Sequence, residues 1–523
     1  MTKNIIIYSD GTGQAGGFRF DEKRSNIYKL YRATRCGPDS SVDPQEQLAF
    51  YDPGLGSQAD GGRLFGRLLR WIHNTVAQAT GFGITRNIID CYAALIRLWQ
   101  PGDRIFLIGF SRGAYTVRCL GGVIARCGIP THPKNKPDGT FKIDEGAAQE
   151  LAAYAVKHVY QFTYPRKKSE ATPRQQFLLD TRTELAARFR SEYGSSVDGD
   201  AAKANVYPHF IGVFDTVAAL GNPAPSAAFT LAFIGFAATL GVVGKILQPF
   251  GSTPWIGWIF AYLTFFNVFC GTIALTLVAA LCVYVFTHIK WDFSVPGYDW
   301  KQSLRTLHRN EMWMKFFDYD LDPNVGYARH AISIDENRKN FERVQWYSTK
   351  DTERDAIGIQ WFEQVWFAGN HSDIGGSYEE NESRLSDVAL DWMLRWAAAV
   401  PNGLKFDVSV LRAWPYPNGP QHDEVAAGFG FIPRWTGITW AEEHRPLPGK
   451  TAVKEAIMHR SVYHRYDERA VQVYDEFTRY RPKTLMDHID FKDFYSPGAP
   501  FPATSYASAT KVAGDPPKLP AVQ

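Results

Sequence analysis

A serine stands between two glycines in the segment Gly109-Phe110-Ser111-Arg112-Gly113, which is a G-x-S-x-G pattern. The apolar run RIFLIG precedes this serine, and AYTVRCLGGVIAR follows it with the composition of a helix. A strand, a sharp turn and a helix in this order are typical of a nucleophile elbow, which exposes the serine hydroxyl. The glycines allow the tight backbone and the close packing of such a turn. Ser111 is therefore predicted to be a nucleophile, with Gly109 and Gly113 in support.

A serine hydroxyl needs a neighbouring base, and the base needs a carboxylate that orients it. Asp215 ends the apolar stretch VYPHFIGVFD, and His371 follows the stretch FEQVWFAGN. The order Ser, Asp, His along the chain is that of α/β-hydrolases, so we predict that these residues form a catalytic triad. Two alternatives stay open. Asp373 either orients the histidine in place of Asp215 or holds its loop. His330 is a second candidate base, although its apolar neighbours favour a buried structural role.

The N-terminal stretch NIIIYSDGTGQ reads as a strand that runs into a tight turn. A tetrahedral oxyanion requires two N–H donors. One is predicted from Arg112, and the other from Gly11 or Thr12, with Asp10 bracing the turn. Phosphatases of the haloacid-dehalogenase type end their first strand in Asp-x-Asp-Gly-Thr. This chain has Tyr8 at the nucleophile's place, so that chemistry is excluded.

Apolar strands alternate with helical segments such as RLSDVALDWMLRWAAAV, and this alternation predicts an α/β fold with a mostly parallel sheet and flanking helices. We divide the chain into a first part of the core with a possible cap at 130–205, a two-helix insertion, a second part of the core with C-terminal helices, and a tail rich in Pro, Ala and Ser that is expected to be disordered. The boundaries are 1–225, 226–290, 291–493 and 494–523.

Two long apolar runs interrupt the core. The run 226–248 contains one charged residue, Lys245, and the run 253–289 contains none. A helix that spans a bilayer needs about 20 apolar residues. Trp255 and Trp258 near the start of the second run resemble interfacial anchors. We predict a transmembrane helical hairpin, with a pair of core helices in a soluble protein as the alternative.

The order of the candidate residues sets the topology. Ser111 and Asp215 precede the apolar block and His371 follows it, so the chain must cross the membrane an even number of times for them to meet. We predict two spans, with a single tilted helix in the second run. Basic residues after the hairpin and the lack of a leader favour an integral membrane protein with both termini and the catalytic domain in the cytoplasm, at the inner membrane if the source is bacterial.

The composition gives no indication of a nucleic-acid partner, a metal site or a disulfide framework. There are 57 basic and 54 acidic residues, with a net charge of +3, which gives no reason to expect nucleic acid. The six cysteines lack the spacing of a metal site or a disulfide framework. No cofactor and no metal is predicted.

Six segments in order, IIIYSDGTGQ, YDPGLGS, GFSRGAYTVRCLGG, IGVFDTVAALG, RHAISIDENRKNF and WFAGNHSDIGGSY, resemble the motif set of the DUF2235 family of α/β-hydrolases. That family includes the Tle1-like phospholipase effectors of type VI secretion systems. The resemblance implies a Ser-Asp-His esterase that acts on lipid, with Ser111, Asp215 and His371 at the matching positions. It also implies a secretion-apparatus or immunity-protein partner.

The sequence therefore predicts a membrane-embedded serine hydrolase that cleaves ester bonds of lipids through an acyl-enzyme, with a phospholipase as the first candidate. The alternatives are an esterase or thioesterase on soluble acyl substrates and a non-catalytic membrane scaffold on a hydrolase fold.

Overall fold

A computed structural model of the chain describes residues 2–11, 23–54, 82–134, 144–163, 171–198, 200–217, 235, 238–243, 246, 265–292, 295, 297–309, 319–339, 341–350, 352–427, 455–495, 506 and 509–516.

The strands follow one another along the described chain as β1 (Asn4–Ser9), β2 (Gln47–Asp52), β3 (Arg104–Phe110), β4 (Ser196–Val197), β5 (Asp200–Ala204), β6 (Pro208–Phe214), β7 (Ile289–Lys290), β8 (His308–Arg309), β9 (Tyr327–Ser333), β10 (Phe362–Phe367), β11 (Val471–Val473) and β12 (Glu476–Thr478). The helices are α1 (Asn26–Thr34), α2 (Phe82–Leu98), α3 (Arg112–Cys127), α4 (Glu145–Tyr154), α5 (Pro173–Tyr193), α6 (Phe265–His288), α7 (Trp300–Arg305), α8 (His371–Gly375), α9 (Arg384–Ala399), α10 (Glu424–Ala427) and α11 (Arg460–Asp467). A π-helix, Ala155–Tyr160, continues α4, and two short 3-10 helices cover Lys483–Leu485 and Lys492–Phe494.

A six-stranded sheet lies at the centre of the described chain, in the order β2-β1-β3-β6-β9-β10, and all of its strand pairs are parallel. The chain runs from β1 outward to β2 and then returns to the other side of β1 for β3. This reversal makes a topological switch point between β1 and β3. In open parallel sheets, ligands bind outside the carboxyl ends of the strands at such a point.

Both faces of the sheet are covered, so its strands are nearly continuous apolar runs. In β1, Ile5 and Ile7 belong to one core, and Ile6 and Tyr8 belong to the other. Helices α2, α3, α4 and α5 pack in the first core, while α1 and α9 pack in the second. The predicted α/β arrangement of a parallel sheet with flanking helices is thus confirmed.

The helices of the region 130–205 belong to the layer on the first face. Ala148 and Ala152 of α4 and Leu185 and Phe189 of α5 are buried in the same core as the strands. They form an outer helical layer over α2 and α3, and a role as a cap over the site stays a prediction.

The C-terminal part of the chain covers the outer edge of β10. Trp366 of β10 pairs with Met458, and Met458 pairs in turn with Val512. The backbone N–H of Met458 donates to the Lys511 carbonyl at 2.8 Å, and the Ala513 N–H donates to the Met458 carbonyl at 2.9 Å.

These contacts correct the expectation of a tail that is disordered throughout beyond residue 494. Residues 509–516 dock because the backbone of Met458 offers an open edge, and because the Asp490 carboxylate accepts N–H bonds from Thr510 and Lys511. A composition rich in Pro and Ala does not prevent docking where a sheet edge supplies backbone partners.

The predicted hairpin falls only partly within the described residues. Most of the run 226–248 lies outside them, whereas the second run contains α6, a helix of 24 residues. Judged on the side chains that the structure describes, no helix is both long and apolar enough to cross a membrane.

A buried ion pair joins α1 to α9. Lys29 Nζ lies 2.9 Å from Asp387 Oδ1 and 3.2 Å from Glu380 Oε1, and the Asp387 side chain is fully buried. Removing one member of a buried pair leaves an uncompensated charge, which destabilises a protein strongly.

We expect Lys29→Ala to lower the free energy of unfolding by about 3 kcal/mol in urea titrations, because Asp387 then keeps only the more distant guanidinium of Arg384, at 3.6 Å, as a cationic partner. The double change Lys29→Met with Asp387→Leu should lose much less, since neither of the two buried charges is left behind and Glu380 is partly exposed to water.

The matched control is Arg32→Ala, also in α1, which removes an ion pair to Asp39 that is largely exposed. Its effect should stay below about 1 kcal/mol. Equal losses for Lys29→Ala and Arg32→Ala would contradict the assignment of Lys29 as a buried structural cation.

Candidate active site

Ser111 occupies a sharp turn between β3 and α3. Its backbone has φ 58° and ψ −120°, a conformation that is unfavourable for a residue with a side chain. Hydrogen bonds hold it there: its N–H donates to the Phe214 carbonyl at 3.1 Å, and its carbonyl accepts from the Tyr115 N–H at 3.2 Å. The turn has the geometry expected of a nucleophile elbow.

The two glycines around Ser111 allow the strand, the turn and the helix to approach closely. A Cβ atom on Gly109 would lie 2.4 Å from the Gly113 carbonyl oxygen, and one on Gly113 would lie 2.0 Å from the Ser9 carbonyl oxygen. Neither position has room for a side chain, so the start of α3 packs directly on the end of β1.

Asp215 and His371 meet at the carboxyl edge of the sheet. Asp215 directly follows β6, and His371 is the first residue of α8, shortly after β10. His371 Nδ1 lies 2.6 Å from Asp215 Oδ2, and Asp215 Oδ1 accepts the Ser333 N–H at 3.1 Å. Since Nδ1 is engaged by the carboxylate, Nε2 is the ring nitrogen left to accept a proton.

Two aromatic side chains position the imidazole. The ring of Phe110, the residue before Ser111, lies 4.6 Å from the His371 ring, and the Phe341 ring meets it edge-on at 5.2 Å. A Cβ on Gly375 would lie 1.9 Å from the Phe110 ring, so the glycine of α8 is what lets this ring approach. The contact of Phe110 with His371 brings the histidine to the turn that carries Ser111.

Glu336 and Arg338 hold the backbone of the histidine loop. Glu336 Oε2 accepts the His371 N–H at 3.1 Å, and both of its oxygens accept bonds from the Arg338 guanidinium at 2.8 Å. Both side chains are buried. The sequence analysis missed them, although they follow the buried strand β9 just as Asp215 follows β6.

Asp373 and His330 have other partners than the predicted site. Asp373 Oδ1 lies 2.7 Å from His422 Nδ1, and its Oδ2 accepts the Asn370 N–H, so it braces the loop. His330 is fully buried and contacts Gln364 through Nδ1. Burial lowers its pKa well below the usual value, which keeps the ring neutral.

The turn after β1 lies beside Ser111. A Cβ on Gly11 would be 3.5 Å from Ser111 Cβ. The Asp10 carboxylate braces this turn by accepting bonds from the Ser25 hydroxyl, the Tyr51 hydroxyl and the Gly11 N–H.

The Gly11 N–H is therefore engaged by Asp10, and Thr12 lies outside the described residues. Arg112 begins α3, where a backbone N–H has no acceptor within the helix. Of the three expected oxyanion donors, Arg112 is thus the one whose N–H lacks an acceptor within its own helix. Gly11 could donate only if its bond to Asp10 opened.

Two carboxyl groups near this turn carry raised pKa values. Burial raises the pKa of Asp10 to about 6, against hydrogen bonds from Ser25 and Tyr51 that lower it. Burial also raises the pKa of Asp52 to about 6, against a hydrogen bond from Ser9.

The raised pKa of Asp52 predicts the sign of a pH effect. Between pH 3.8 and about 6 the folded chain keeps a proton that the unfolded chain releases, so this group favours the folded state most at low pH and progressively less as the pH rises to 6. Relative to the unaltered chain, Asp52→Asn should gain about 2–3 kcal/mol in the free energy of unfolding between pH 4 and pH 7.

Urea titrations at a series of pH values measure this difference. Asp407→Asn is the control of opposite sign, because hydrogen bonds from Ser409 and Ser41 lower the pKa of Asp407 to about 2. Curves for Asp52→Asn that stay parallel to those of the unaltered chain would refute the raised pKa.

Comparisons with known proteins show which proteins the chain is similar to. The chain is 26% identical over 434 residues to an uncharacterized protein of Saccharomyces cerevisiae, YEL023C, with 77% of this chain and 58% of that protein covered. It therefore spans about three-fifths of the length of this curated relative.

Among solved structures, the chain is similar to an uncharacterized protein from Pseudomonas aeruginosa, with a TM-score of 0.33 and 14% identity over 79% of this chain and 47% of that one. It is also similar to the Tle1 effector bound to the VgrG spike of the type VI secretion system, with a TM-score of 0.25 and 15% identity over 73% of this chain and 52% of that one. Both scores are low.

A family profile covers most of the chain. The catalytic domain of Tle1-like phospholipase effectors matches residues 3–243 and 291–396, and the gap between the two matched parts contains the whole second apolar run. Ser111, Asp215 and His371 all lie within the matched residues. The chain therefore belongs to the Tle1-like family of type VI secretion phospholipase effectors, by its catalytic domain.

Proposed function

We propose that the chain is a serine hydrolase that cleaves carboxylic ester bonds of lipids, and that phospholipids are its first candidate substrates. The observation that carries this proposal is the hydrogen bond of 2.6 Å between His371 Nδ1 and Asp215 Oδ2, beside the strained turn of Ser111. The family's designation as phospholipase effectors supports the substrate class.

The reaction follows from these positions. Ser111 Oγ attacks the ester carbonyl carbon while His371 Nε2 takes its proton, and Asp215 stabilises the resulting imidazolium. The Arg112 N–H donates to the oxyanion of the tetrahedral intermediate. His371 then protonates the leaving alcohol, which gives the acyl-enzyme. Water, activated by the same histidine, hydrolyses that ester and restores Ser111.

Apolar surfaces favour a lipid over a small soluble ester. Phe110 and Phe341 pack against the His371 ring, so the surroundings of the base are aromatic. Helix α6 exposes Leu275, Leu277 and Leu281, each more than half exposed. An esterase or thioesterase for soluble acyl substrates is the competing reading, and a panel of substrates separates the two.

We also propose that the charge-free run 253–289, of which α6 is the described part, belongs to a membrane hairpin. The 24 residues of α6 correspond to about 36 Å of helix, against a bilayer core of about 30 Å. The hydroxyls of Thr272 and Thr276 donate to the carbonyls of Val268 and Thr272, so these polar groups are satisfied within the helix.

The contact between Asp215 and His371 supports an even number of crossings, because these residues flank the apolar block in sequence. Two spans, with both flanks in the cytoplasm, satisfy this condition. In this arrangement the site faces the inner leaflet. A secretion-apparatus or immunity-protein partner stays a prediction from the family, one of whose relatives was solved on a VgrG spike.

We expect Ser111→Ala to lower the rate of long-chain phospholipid hydrolysis by at least a thousandfold while the chain stays folded, because the acyl-enzyme then cannot form. A fluorophosphonate probe should label the unaltered protein and not the variant. Activity within tenfold of the unaltered protein would overturn the serine mechanism, and absence of labelling in both would favour a non-catalytic scaffold. Faster hydrolysis of short-chain soluble esters would favour the competing esterase.

Asp215→Asn and Asp373→Asn form a matched pair that tests the orienting carboxylate. Asp215→Asn should lower kcat by about 10⁴-fold, because the histidine is then held in the wrong tautomer. Asp373→Asn should cost far less, since its partner is His422. A larger loss for Asp373→Asn would reassign the orienting role.

Cysteine labelling in intact cells tests the topology, in a background without native cysteines. An impermeant reagent should label Ser252→Cys between the two apolar runs, but neither Lys23→Cys nor Glu379→Cys, until the cells are lysed. Labelling of both flanks and not Ser252→Cys would invert the orientation. Labelling of one flank alone would refute a single catalytic compartment.

A further inference from the structure

The side chain of Arg112 is a desolvated cation next to the proposed nucleophile. Arg112 is the first residue of α3 and follows Ser111 directly. The residue keeps some exposed surface, yet burial lowers the pKa of its guanidinium to about 10.

Two buried arginines elsewhere in the described chain have acceptors for their guanidinium groups. The guanidinium of Arg118 donates to the carbonyls of Val344 and Gln345, and that of Arg338 pairs with Glu336. Within the described residues, the Arg112 guanidinium has neither a hydrogen bond nor an ion pair.

Partly burying a cation without a partner is costly, and binding an anion offsets that cost. The beginning of α3 adds the positive end of a helix dipole and free N–H groups at the same place, and both favour negative charge. The structure therefore combines a desolvated guanidinium and a helix N-terminus beside Ser111, with no described acid to neutralise them.

We propose that the Arg112 guanidinium binds the phosphate of a glycerophospholipid whose ester carbonyl lies at Ser111. This inference rests on the proposed function and narrows its substrate class to lipids that carry a phosphodiester head group. A guanidinium matches the phosphate oxygens with two parallel hydrogen bonds. In such a lipid only the glycerol carbons and their oxygens separate the phosphate from the nearer ester. Two neighbouring residues can therefore contact both groups, Ser111 the ester and Arg112 the phosphate. Arg112 then has two separate roles: its N–H faces the oxyanion, and its side chain recognises the head group.

The test compares a phosphatidylcholine with a diacylglycerol that carries the same acyl chains, in the same detergent micelles. In Arg112→Gln the backbone N–H is retained and the charge is lost. We expect kcat/KM for the phospholipid to fall about 10- to 100-fold more than kcat/KM for the diacylglycerol. Arg112→Lys keeps the positive charge but lacks the planar guanidinium with its paired N–H donors. Its ratio of kcat/KM for the phospholipid to that for the diacylglycerol should therefore be intermediate.

Arg126→Gln is the matched control, because it removes a positive charge from the last turn of the same helix, about 20 Å from Ser111. Its ratio between the two substrates should equal that of the unaltered protein. Fluorophosphonate titration counts the folded, reactive sites in every preparation, so a partly misfolded variant does not imitate a change of selectivity.

Competition distinguishes a head group from a free anion. Glycerophosphocholine should inhibit diacylglycerol hydrolysis by the unaltered protein, and its inhibition constant should rise at least tenfold in Arg112→Gln. Inorganic phosphate that competes equally well would show a site for the free anion and would overturn the assignment to a lipid head group.

The two proposals fail in different ways. An unaltered protein that hydrolyses neither substrate and is not labelled at Ser111 overturns the proposed function and this inference with it. An active protein in which Arg112→Gln lowers both substrates by the same factor overturns the phosphate role alone, and the serine hydrolase stands.

Discussion

The hydrogen bond between Asp215 and His371 is the contact on which the arrangement of the site depends. It joins residues that are 156 positions apart, and one of them follows β6 while the other follows β10. Strand β9 lies between these strands in the sheet, so the histidine must reach across the end of β9. Glu336, which follows β9, accepts the His371 N–H and holds the loop at that crossing. The intermediate strand thus supplies the support that the long reach requires.

How much of the site can be predicted from the sequence depends on where its residues lie in the fold. The placement of Ser111, Asp215, His371 and Asp10 at one edge of the sheet follows from the sequence, because each comes after an apolar strand and parallel strands gather such residues at one edge. The bracing role of Asp10 has the predicted form, with three donors on its carboxylate. Which strand ends become neighbours depends on strand order, and the motifs do not contain that order.

The features that escaped prediction rest on partners that are distant in sequence. The spacing of residues alone could not decide whether Asp215 or Asp373 contacts His371. The side chain of Asp373 contacts His422 instead, and His422 comes from an irregular segment with no motif. The order of residues 509–516 likewise comes from the edge of β10 and Met458, not from their own composition. In both cases the contact partner lies far away in the sequence, so the local sequence pattern cannot predict the contact.

The distance along the chain from Ser111 and Asp215 to His371 has a consequence for biosynthesis. Ser111 and Asp215 emerge from the ribosome well before His371, and the apolar run that contains α6 is made in the interval. The nascent chain therefore holds Ser111, the proposed nucleophile, without its proposed base until about 260 further residues have been added, at a stage when the apolar run has already emerged. The contact between Asp215 and His371 can therefore form only after that apolar run has been made, so the proposed catalytic group is incomplete until then.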